Sequence, residues 1–368
     1  MPDLIDVKEN ISRKFNTDIL KNGLPVFVFG TKGMAEDVYN CFADADIDIA
    51  GFVDNNKSDS DMLFSKKIYS LNEIEDYKDV CVVVIATVTY VYEIQKQLEN
   101  SGFKNILPAY VLEFCDGLNF KQNPSIKNLV ADYFEHKADY QKIRNLLCDD
   151  LSKKTFDALV EFRKTFDIEV FQSVKQSLQK QYFEDFIPDV FRYEYPFADC
   201  GGYNGDTALG FFRFTHNKYK KIYFIEADPV TFEKGKDETR NLRDIEYFKA
   251  AVTDCKKRLR FSADFNTGSK VTDDGQQLVD GMPLDSIIKE NNAFIKMDIE
   301  GAEKEAILGA KRLIKNGSLL ALSAYHKAED IRELPETIID INPDYNFYLR
   351  HYTDTVFETV LYAVPQNF

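Results

Sequence analysis

Short apolar runs alternate with amphipathic stretches over the first third of the chain, from about residue 23 to residue 118. The runs that predict strands are Pro25–Phe29, Ile47–Val53, Val80–Ala86 and Asn105–Pro108. Amphipathic stretches follow the first run, to about Ala45, and the third run, over Val91–Ser101. Because strands that alternate with helices pair in parallel and are covered by those helices, this pattern predicts a Rossmann-like, doubly wound sheet.

The next segment, about residues 119–181, has a helical period instead. Apolar residues recur at spacings of three and four, which places them on one face of a helix, at Ile126, Leu129, Val130, Tyr133 and Phe134. We interpret this face as packing surface. The segment is therefore predicted to be a helical linker or cap.

Strand and helix patterns alternate again from about residue 182. The predicted strands are Tyr195–Asp199, Lys221–Glu226, Phe294–Asp298, Leu319–Tyr325, Tyr345–Arg350 and Glu358–Val364. The short turn between the last two predicts an antiparallel hairpin. We therefore predict an α/β protein with a Rossmann-like domain of residues 1–118, a helical linker or cap of residues 119–181, and a second Rossmann-like domain of residues 182–368.

Composition and charge narrow the classes of function. A net charge of −15 and a pI near 4.9 argue against a nucleic-acid binder, because contact with phosphates needs a basic face. The longest apolar run, Val80–Val88, is less than half of the roughly 20 residues that a membrane span needs. The first residues lack the apolar core of a secretory signal, and six dispersed cysteines without a CxxC pair are typical of reduced thiols. We expect a cytoplasmic protein without a membrane span.

The segment Phe197–Thr207 carries the clearest chemistry. It follows a predicted strand, opens a helix and contains Gly201, Gly202 and Gly205, which let a backbone bend sharply and approach a ligand. Asp199 at the strand end is placed to face a cation. Glu226 ends the next strand, 21 residues after Gly205, which suits a carboxylate that holds a ribose diol. An ammonium group together with a ribose describes S-adenosylmethionine better than NAD.

A second signature is the block Phe294–Glu303, in which an apolar strand ends in IKMDIEGAE. Together with the Asp199–Thr207 loop, Glu226, the Leu284-Asp285 pair and the SAYHK sequence around His326, it makes the region of about residues 182–364 resemble the FkbM family of S-adenosylmethionine-dependent methyltransferases. The resemblance implies a class I methyltransferase fold with its C-terminal hairpin, S-adenosylmethionine as cofactor, and O-methyl transfer in sugar or natural-product pathways. It does not identify the acceptor.

The resemblance also implies roles for individual residues. The methionine end of the cofactor would be lined by the loop residues Asp199, Gly201, Gly202, Tyr203, Gly205 and Thr207. Glu226 would bind the ribose hydroxyls. Ala251 falls where the adenine is often held, although it could equally be a strand residue that packs internally.

Methyl transfer to oxygen needs a group that takes the acceptor's proton. The candidates are Asp298, Glu300 and His326, with Glu303 beside them. His326 has an ordinary pKa near working pH, but it could instead be a structural histidine bonded to a carboxylate. Alternatively, Asp298 with Glu300 or Glu303 could hold Mg²⁺, since that cation prefers carboxylates.

The first domain has the layout of a nucleotide-binding unit, with Gly30 and Gly33 after one strand and Asp54 after the next. It lacks a full GxGxxG. Its sequence through GFVD at residues 51–54 is similar to the N-terminal domain of bacterial sugar acyltransferases, which implies binding of a nucleotide-sugar. The other interpretation is a degenerate domain that serves packing or partner docking.

Three hypotheses of function follow. The first is a methyltransferase that acts on a hydroxyl of a sugar, a glycoconjugate or a natural product, with a role in carbohydrate biosynthesis. The second is a nicotinamide-dependent oxidoreductase that uses the first domain. The third is a non-catalytic protein that binds a nucleotide-sugar. The sequence leaves the oligomeric state open.

Overall fold

The computed structural model describes residues 11–12, 14–56, 61–122, 125–262, 270–271 and 277–367. The chain divides into two compact units. Unit 1 comprises Met1–His136, Asp157–Lys175 and Thr353–Phe357, and unit 2 comprises Lys137–Phe156, Gln176–Tyr352 and Glu358–Phe368. The helical segment of residues 119–181 therefore contributes to both units, and the domain boundaries drawn from the sequence stay a prediction.

A six-stranded sheet lies at the centre of unit 1 in the described residues. Its strands are β1 (Val26–Phe29), β2 (Ile49–Val53), β3 (Met62–Leu63), β4 (Lys66–Tyr69), β5 (Val82–Ile85) and β6 (Ile106–Pro108). The order is β3-β4-β2-β1-β5-β6, and every neighbouring pair is parallel except β3 with β4. The central strands β1 and β5 are buried at every position, as their continuous apolar sequences predict. The short strands β3 and β4 were not predicted.

Two α-helices of unit 1, Met34–Asp44 and Val91–Asn100, pack against this sheet. The α-helices are Met34–Asp44, Val91–Asn100 and Ile126–Glu135, and the 3₁₀ helices are Thr17–Lys21, Leu71–Tyr77, Ala109–Phe114 and Ile168–Phe171. The helix Asp150–Thr165 has residues in both units. The sequence therefore predicts the helical character of residues 126–135 correctly.

Unit 2 contains a larger sheet and a smaller one. The strands are β7 (Phe197–Cys200), β8 (Ile222–Glu226), β9 (Ile245–Lys249), β10 (Ala251–Val252), β11 (Lys257–Ser262), β12 (Lys270–Val271), β13 (Gln277–Met282), β14 (Phe294–Met297), β15 (Leu319–Ser323), β16 (Tyr345–His351) and β17 (Thr359–Pro365). In the larger sheet the order is β16-β17-β15-β14-β7-β8-β9. Strands β7, β8, β9, β14 and β15 pair in parallel, whereas β16 and β17 form an antiparallel hairpin on β15. This confirms the predicted α/β fold with its terminal hairpin.

The smaller sheet of unit 2 has the order β10-β13-β11-β12 in the described residues and was not predicted. Its pairs are antiparallel apart from β10 with β13. The sequence of β11, KRLRFS, carries three cations in six residues, so its apolar pattern is too weak to indicate a strand.

Helices of unit 2 connect the strands and flank the sheet. They are Lys137–Leu146, Asp189–Tyr193, Asp206–Phe214, Pro229–Glu238, Leu284–Ile287, Glu303–Leu308, Lys311–Lys315, Asp330–Ile341 and the 3₁₀ helix Leu178–Lys180. Within the described part of the chain, no helix has the length and apolar character needed to cross a bilayer.

Aromatic packing fixes the helix that follows the glycine loop. Phe197 in β7 stacks on Phe211 of the helix Asp206–Phe214, with ring centroids 4.2 Å apart, and meets Phe294 of β14 edge-on at 5.1 Å. Such ring pairs each contribute about 0.5–1.5 kcal/mol beyond the area they bury. The strand and the helix on either side of the loop are therefore held rigidly.

Candidate active site

A cavity of about 900 Å³ lies within unit 2, where β7, β8 and β14 end. Gly201, Glu226 and Asp298, each at or just after one of these strand ends, line it. Ligands of parallel α/β sheets bind at this edge, because the loops there leave a crevice. The cavity is therefore the candidate active site.

The glycine loop after β7 packs so closely against its neighbours in space that side chains would not fit. Gly201 has a φ of 74°, and a Cβ built on it would lie 1.9 Å from the carbonyl oxygen of Asp298. Gly205 has a φ of 85° and begins the helix Asp206–Phe214, with the Thr239 methyl 2.7 Å from its own Cβ position. Glycine is therefore required by both backbone conformation and space.

The remaining loop residues from the sequence analysis divide into two groups. Tyr203 and Thr207 line the cavity, and the Tyr203 ring is 56% exposed. Gly202 lies behind the cavity wall, where a Cβ would meet the Phe224 ring at 2.4 Å. The loop thus presents backbone, the Tyr203 ring with its hydroxyl and the Thr207 hydroxyl to a ligand, and Asp206 lines the cavity beside them.

Glu226 ends β8 and fastens the glycine loop. Its Oε2 accepts a hydrogen bond from the Tyr203 N–H at 2.9 Å, and its Oε1 accepts one from the Asp228 N–H at 2.7 Å. Burial raises the pKa of this carboxyl, against the opposing effect of the two N–H groups. Since Glu226 also lines the cavity, its carboxylate is available to hydroxyl groups of a ligand.

Ala251 lies in β10 and lines the cavity together with Ala250 and Val252. It also packs with Val279 in a small apolar cluster. Its position is therefore compatible with both interpretations of this segment, as a strand that packs internally and as a wall for a flat apolar group.

Asp199 is fully buried in β7, behind the cavity wall. Lys296 of β14 lies opposite, with its Nζ 3.1 Å from Asp199 Oδ1, and this ammonium also donates to the Gly201 carbonyl at 2.7 Å. Burial raises the pKa of Asp199 to about 6, although Lys296 acts to lower it. The cation that Asp199 faces is thus a lysine of the protein, and the pair fixes the glycine loop from behind.

Asp298 lines the cavity just after β14 and is surrounded by donors. Tyr182 donates a hydrogen bond to its Oδ2 at 3.1 Å, and Tyr325 donates one to its Oδ1 at 3.4 Å. Burial opposes ionisation of Asp298, but His326 and Lys296 outweigh it and hold the pKa of this carboxyl well below its usual range. Asp298 is therefore ionised at neutral pH.

His326 lies behind Asp298 and is only 4% exposed. Its Nδ1 donates to Glu303 Oε1 at 2.9 Å, and its Nε2 lies 3.2 Å from Asp298 Oδ1. Burial lowers the pKa of the imidazole, but Glu303 and Asp298 more than reverse this and raise it well above the ordinary value. His326 is therefore held as a cation between two carboxylates, as the structural alternative anticipated.

Glu300 also lines the cavity, with a φ of 56° and its Oε2 3.8 Å from His326 Nε2. Sequence reasoning missed further residues of the wall, among them Tyr182, Tyr325 and Glu358. They come from distant parts of the chain, and no motif marks them. Only the pairing of β17 with β15 brings Glu358 to this end of the sheet.

Among the described residues, no three or more His, Cys, Asp or Glu side chains are arranged to hold a metal ion. The magnesium alternative therefore has no support from the cluster of Asp298, Glu300 and Glu303.

In unit 1, the residues singled out from the sequence also meet at strand ends. Gly30 has a φ of 127° and its Cβ position lies 2.5 Å from the Ala86 carbonyl oxygen. Asp54 accepts hydrogen bonds from the Thr31 hydroxyl at 2.6 Å and from the Asn56 N–H at 2.8 Å. Gly33 begins the helix Met34–Asp44. Asp54 thus fastens the loop that contains Gly30, and its binding of a nucleotide stays a prediction.

Two family models match parts of the chain. Residues 199–347 match the family model described as Methyltransferase FkbM domain, and residues 24–106 match that described as C2185-like, N-terminal. No curated protein matches the chain.

Solved structures include one that is similar over nearly the whole chain. Methyltransferase FkbM from Methylobacillus flagellatus KT has a TM-score of 0.75 at 23% identity, covering 98% of this chain and 99% of that one. An rRNA methylase from Streptococcus thermophilus has a TM-score of 0.33 at 14% identity, covering 52% of this chain and 97% of that one. Fibrillarin from Aeropyrum pernix, solved with natively bound S-adenosyl-L-methionine, has a TM-score of 0.29 at 11% identity, covering 46% and 66%.

The parallel sheet, its terminal hairpin and the glycine loop at the cavity define unit 2 as a class I methyltransferase fold. Residues 199–347 match the model of the FkbM methyltransferase domain, which confirms the resemblance drawn from the sequence for that part of the chain. The likeness of the first domain to sugar acyltransferases stays a prediction.

Proposed function

We propose that this methyltransferase uses S-adenosylmethionine and transfers the methyl group to a hydroxyl oxygen of a sugar or a related polyhydroxylated compound. The main support for the proposal is the position of Glu226, whose carboxylate lines the cavity and also accepts a hydrogen bond from the glycine loop. Bound there, S-adenosylmethionine supplies an electrophilic methyl group.

The residues present fit such a cofactor. A ribose diol needs a hydrogen-bond acceptor at the end of the strand that follows the glycine loop, and Glu226 at the end of β8 provides it. The methionine end needs backbone that can approach closely, and the loop at Gly201 provides that because a Cβ has no room there. Ala251 and its neighbours offer an apolar wall for the adenine.

In this scheme Asp199 is a positioning residue. It holds Lys296, and Lys296 in turn donates to the Gly201 carbonyl, so the pair determines where the loop backbone lies. Asp298 and Glu300 line the part of the cavity where an acceptor would sit, while His326 keeps Asp298 ionised from behind.

An acceptor with several hydroxyl groups suits this part of the cavity. Asp298, Glu300 and Glu358 provide acceptors, and the hydroxyls of Tyr182 and Tyr325 are already bonded to Asp298. Carboxylates accept hydrogen bonds from hydroxyl groups and repel anions. We therefore expect the reacting part of the acceptor to be neutral or cationic.

Calorimetry on the full chain tests the proposal. S-adenosylmethionine and S-adenosylhomocysteine should bind and NADH should not. Glu226→Ala should weaken both by about 1.5–3 kcal/mol, the usual loss for a hydrogen bond to a charged group. Glu233→Ala, which removes an exposed glutamate from the helix Pro229–Glu238, is the matched control and should leave both affinities unchanged.

Two results would contradict the proposal. NADH binding in place of the two sulfur compounds would favour the oxidoreductase hypothesis. Full affinity in Glu226→Ala would remove the ribose assignment. Methyl-labelled S-adenosylmethionine offered with free sugars and nucleotide-diphosphate sugars then tests the acceptor class.

A further inference from the structure

Glu358 is a cavity-lining carboxylate that the sequence did not single out. It immediately precedes β17, and β17 runs antiparallel to β15, with Ser323 opposite Val360. An antiparallel strand begins at the edge where its parallel neighbours end. Topology therefore places Glu358 at the same edge as Asp298 and the glycine loop, and it lines the cavity with them.

The backbone at Glu358 is in the left-handed region, with a φ of 59°. This conformation is unfavourable for a residue with a long side chain and persists where surrounding contacts over-determine it. Here the neighbouring Thr359 carbonyl accepts a hydrogen bond from the Ala324 N–H at 2.8 Å. Glu358 thus adds one more carboxylate to a cavity that Glu226, Asp298 and Glu300 already line.

The neighbours of Glu358 differ in charge from those of Asp298. Its Oε1 lies 3.3 Å from the Tyr325 hydroxyl, whose single proton is shared with Asp298 Oδ1, and its Oε2 accepts a hydrogen bond from the Gln181 amide. Both partners are neutral. Asp298, by contrast, lies beside the His326 imidazolium and near Lys296.

The titratable groups around Glu358 are Asp298, His326, Tyr182 and Tyr325. Burial and the negative charge of Asp298 raise the pKa of Glu358 to about 7, although His326 acts to lower it. Burial, together with the charges of Asp298 and Glu358, raises the pKa values of both tyrosines well above 10, so they stay neutral. Of these groups, Glu358 is the one that can gain and lose a proton near neutral pH, which is the optimum for a general base.

We propose that the Glu358 carboxylate accepts the proton of the acceptor hydroxyl during methyl transfer, an inference that rests on the proposed function. The acceptor oxygen forms its bond to the methyl carbon as the bond from that carbon to sulfur breaks. The electron pair of the broken bond goes to sulfur, which becomes a neutral thioether. The hydroxyl proton passes to Glu358 and from there to solvent.

The experiment uses the charge difference between two probes. S-adenosylmethionine carries a positive sulfonium and S-adenosylhomocysteine a neutral thioether, while the rest of each molecule is the same. A carboxylate within about 4–6 Å of a positive charge has its pKa lowered by about one or more. If Glu358 faces the reacting centre, the sulfonium must lower its pKa and the thioether must not.

Two readouts follow for the full-length protein. With ¹³C-labelled glutamate, one carboxyl signal should titrate near pH 7 without ligand and with S-adenosylhomocysteine. The same signal should titrate about one pH unit lower with S-adenosylmethionine, and Glu358→Gln should abolish it. By linkage, affinity for S-adenosylmethionine relative to S-adenosylhomocysteine should rise about fivefold from pH 6 to pH 8, and Glu358→Gln should remove that rise.

Glu184 is the internal control, because its carboxyl is buried and bonded to the Tyr352 hydroxyl at 2.8 Å, and burial raises its pKa. The Glu184 signal should respond equally to both probes. Equal titration of the Glu358 signal with both probes, or an unchanged affinity ratio, would overturn the role of Glu358 and leave the proposed function standing. Failure of both probes to bind would overturn the proposed function and this inference with it. If Glu358→Gln does not fold, the titration of the wild-type protein with the two probes still tests whether Glu358 faces the reacting centre.

Discussion

The two units contain the same local arrangement: a strand, a glycine loop, a helix and a second strand followed or ended by a carboxylate. In unit 1 the carboxylate is Asp54, which accepts a hydrogen bond from the Thr31 hydroxyl in its own loop. In unit 2 it is Glu226, which accepts one from the Tyr203 N–H in its own loop. Both acids thus fasten the loop that precedes them.

The difference lies in what surrounds the loops. Glu226 also lines a cavity of about 900 Å³, together with the Asp298 end of β14. A neighbouring strand end leaves no room for a Cβ at the first glycine in both units, with the Asp298 carbonyl oxygen at Gly201 and the Ala86 carbonyl oxygen at Gly30. The spacing of glycines and acid and the close approach of a second strand therefore indicate the fold. The lining of a cavity by the carboxylate is what distinguishes unit 2.

Replacement of the loop glycines should separate the two units most strongly. Gly201→Val forces a side chain into the Asp298 carbonyl, so we expect affinity for S-adenosylhomocysteine to fall by more than about hundredfold, or roughly 3 kcal/mol. Gly33→Val is the matched control, with no atoms to displace and a backbone cost of about 1–3 kcal/mol, because its φ of 43° and ψ of −97° are sparsely populated by residues with a Cβ. Calorimetry and hydrogen exchange measure the two effects.

Hydrogen exchange in unit 1 should be unchanged in Gly201→Val. Wild-type affinity for S-adenosylhomocysteine in this variant would show that the loop of unit 2 binds no cofactor, and the contrast between the units would then be lost.

The charged residues behind the loop of unit 2 offer a second test. His326→Ala leaves Asp298 and Glu303 without their shared cation, and breaking a buried ion pair costs about 3–5 kcal/mol. We expect unit 2 to unfold at lower urea concentration, as followed by hydrogen exchange of β14 and β15. Exposed His216→Ala should have no such effect.

The loss in His326→Ala should depend on pH. Because the folded-state pKa of His326 is raised above the unfolded value near 6.5, its contribution is complete below about pH 6.5 and declines as the pH rises through the folded-state pKa. The difference from wild type should therefore be largest near pH 6 and shrink in alkaline solution. A loss that grows with pH would mean that His326 is neutral in the folded protein.

Sequence reasoning located the parts of the site that lie on continuous apolar strands. The run Phe294–Asp298 predicted β14 and brought Asp298 to its end, and the same reasoning placed Glu226. These strands are buried on both faces, so their sequences are apolar throughout and easy to detect. The class of fold and much of the proposed cofactor-binding part of the site can therefore be predicted from these sequences.

The rest of the site depends on pairing that the sequence does not show. Glu358 reaches the cavity because β17 pairs with β15, and Tyr182 meets Asp298 across 116 residues of chain. Two assignments stay predictions, although burial gives both residues charged partners within the protein. His326 is held by two carboxylates, and Asp199 faces Lys296. Chemistry of that kind follows from neighbours in space, and spacing along the chain gives no sign of them.

The smallest expected effect tests whether the loop of unit 1 is only structural. Thr31→Val keeps the shape of the side chain and removes the hydroxyl that donates to Asp54 at 2.6 Å. A hydrogen bond of this kind contributes about 0.5–1.5 kcal/mol, and more where a charged acceptor is left without its partner. We expect lower hydrogen-exchange protection in β1 and β2, unchanged protection in unit 2, and unchanged affinity for S-adenosylhomocysteine.

Thr31→Ser, which retains the hydroxyl, is the matched control and should behave as wild type. A change in affinity for S-adenosylhomocysteine in Thr31→Val alone would show that the two loops are coupled, because unit 1 would then influence a cavity lined entirely by residues of unit 2.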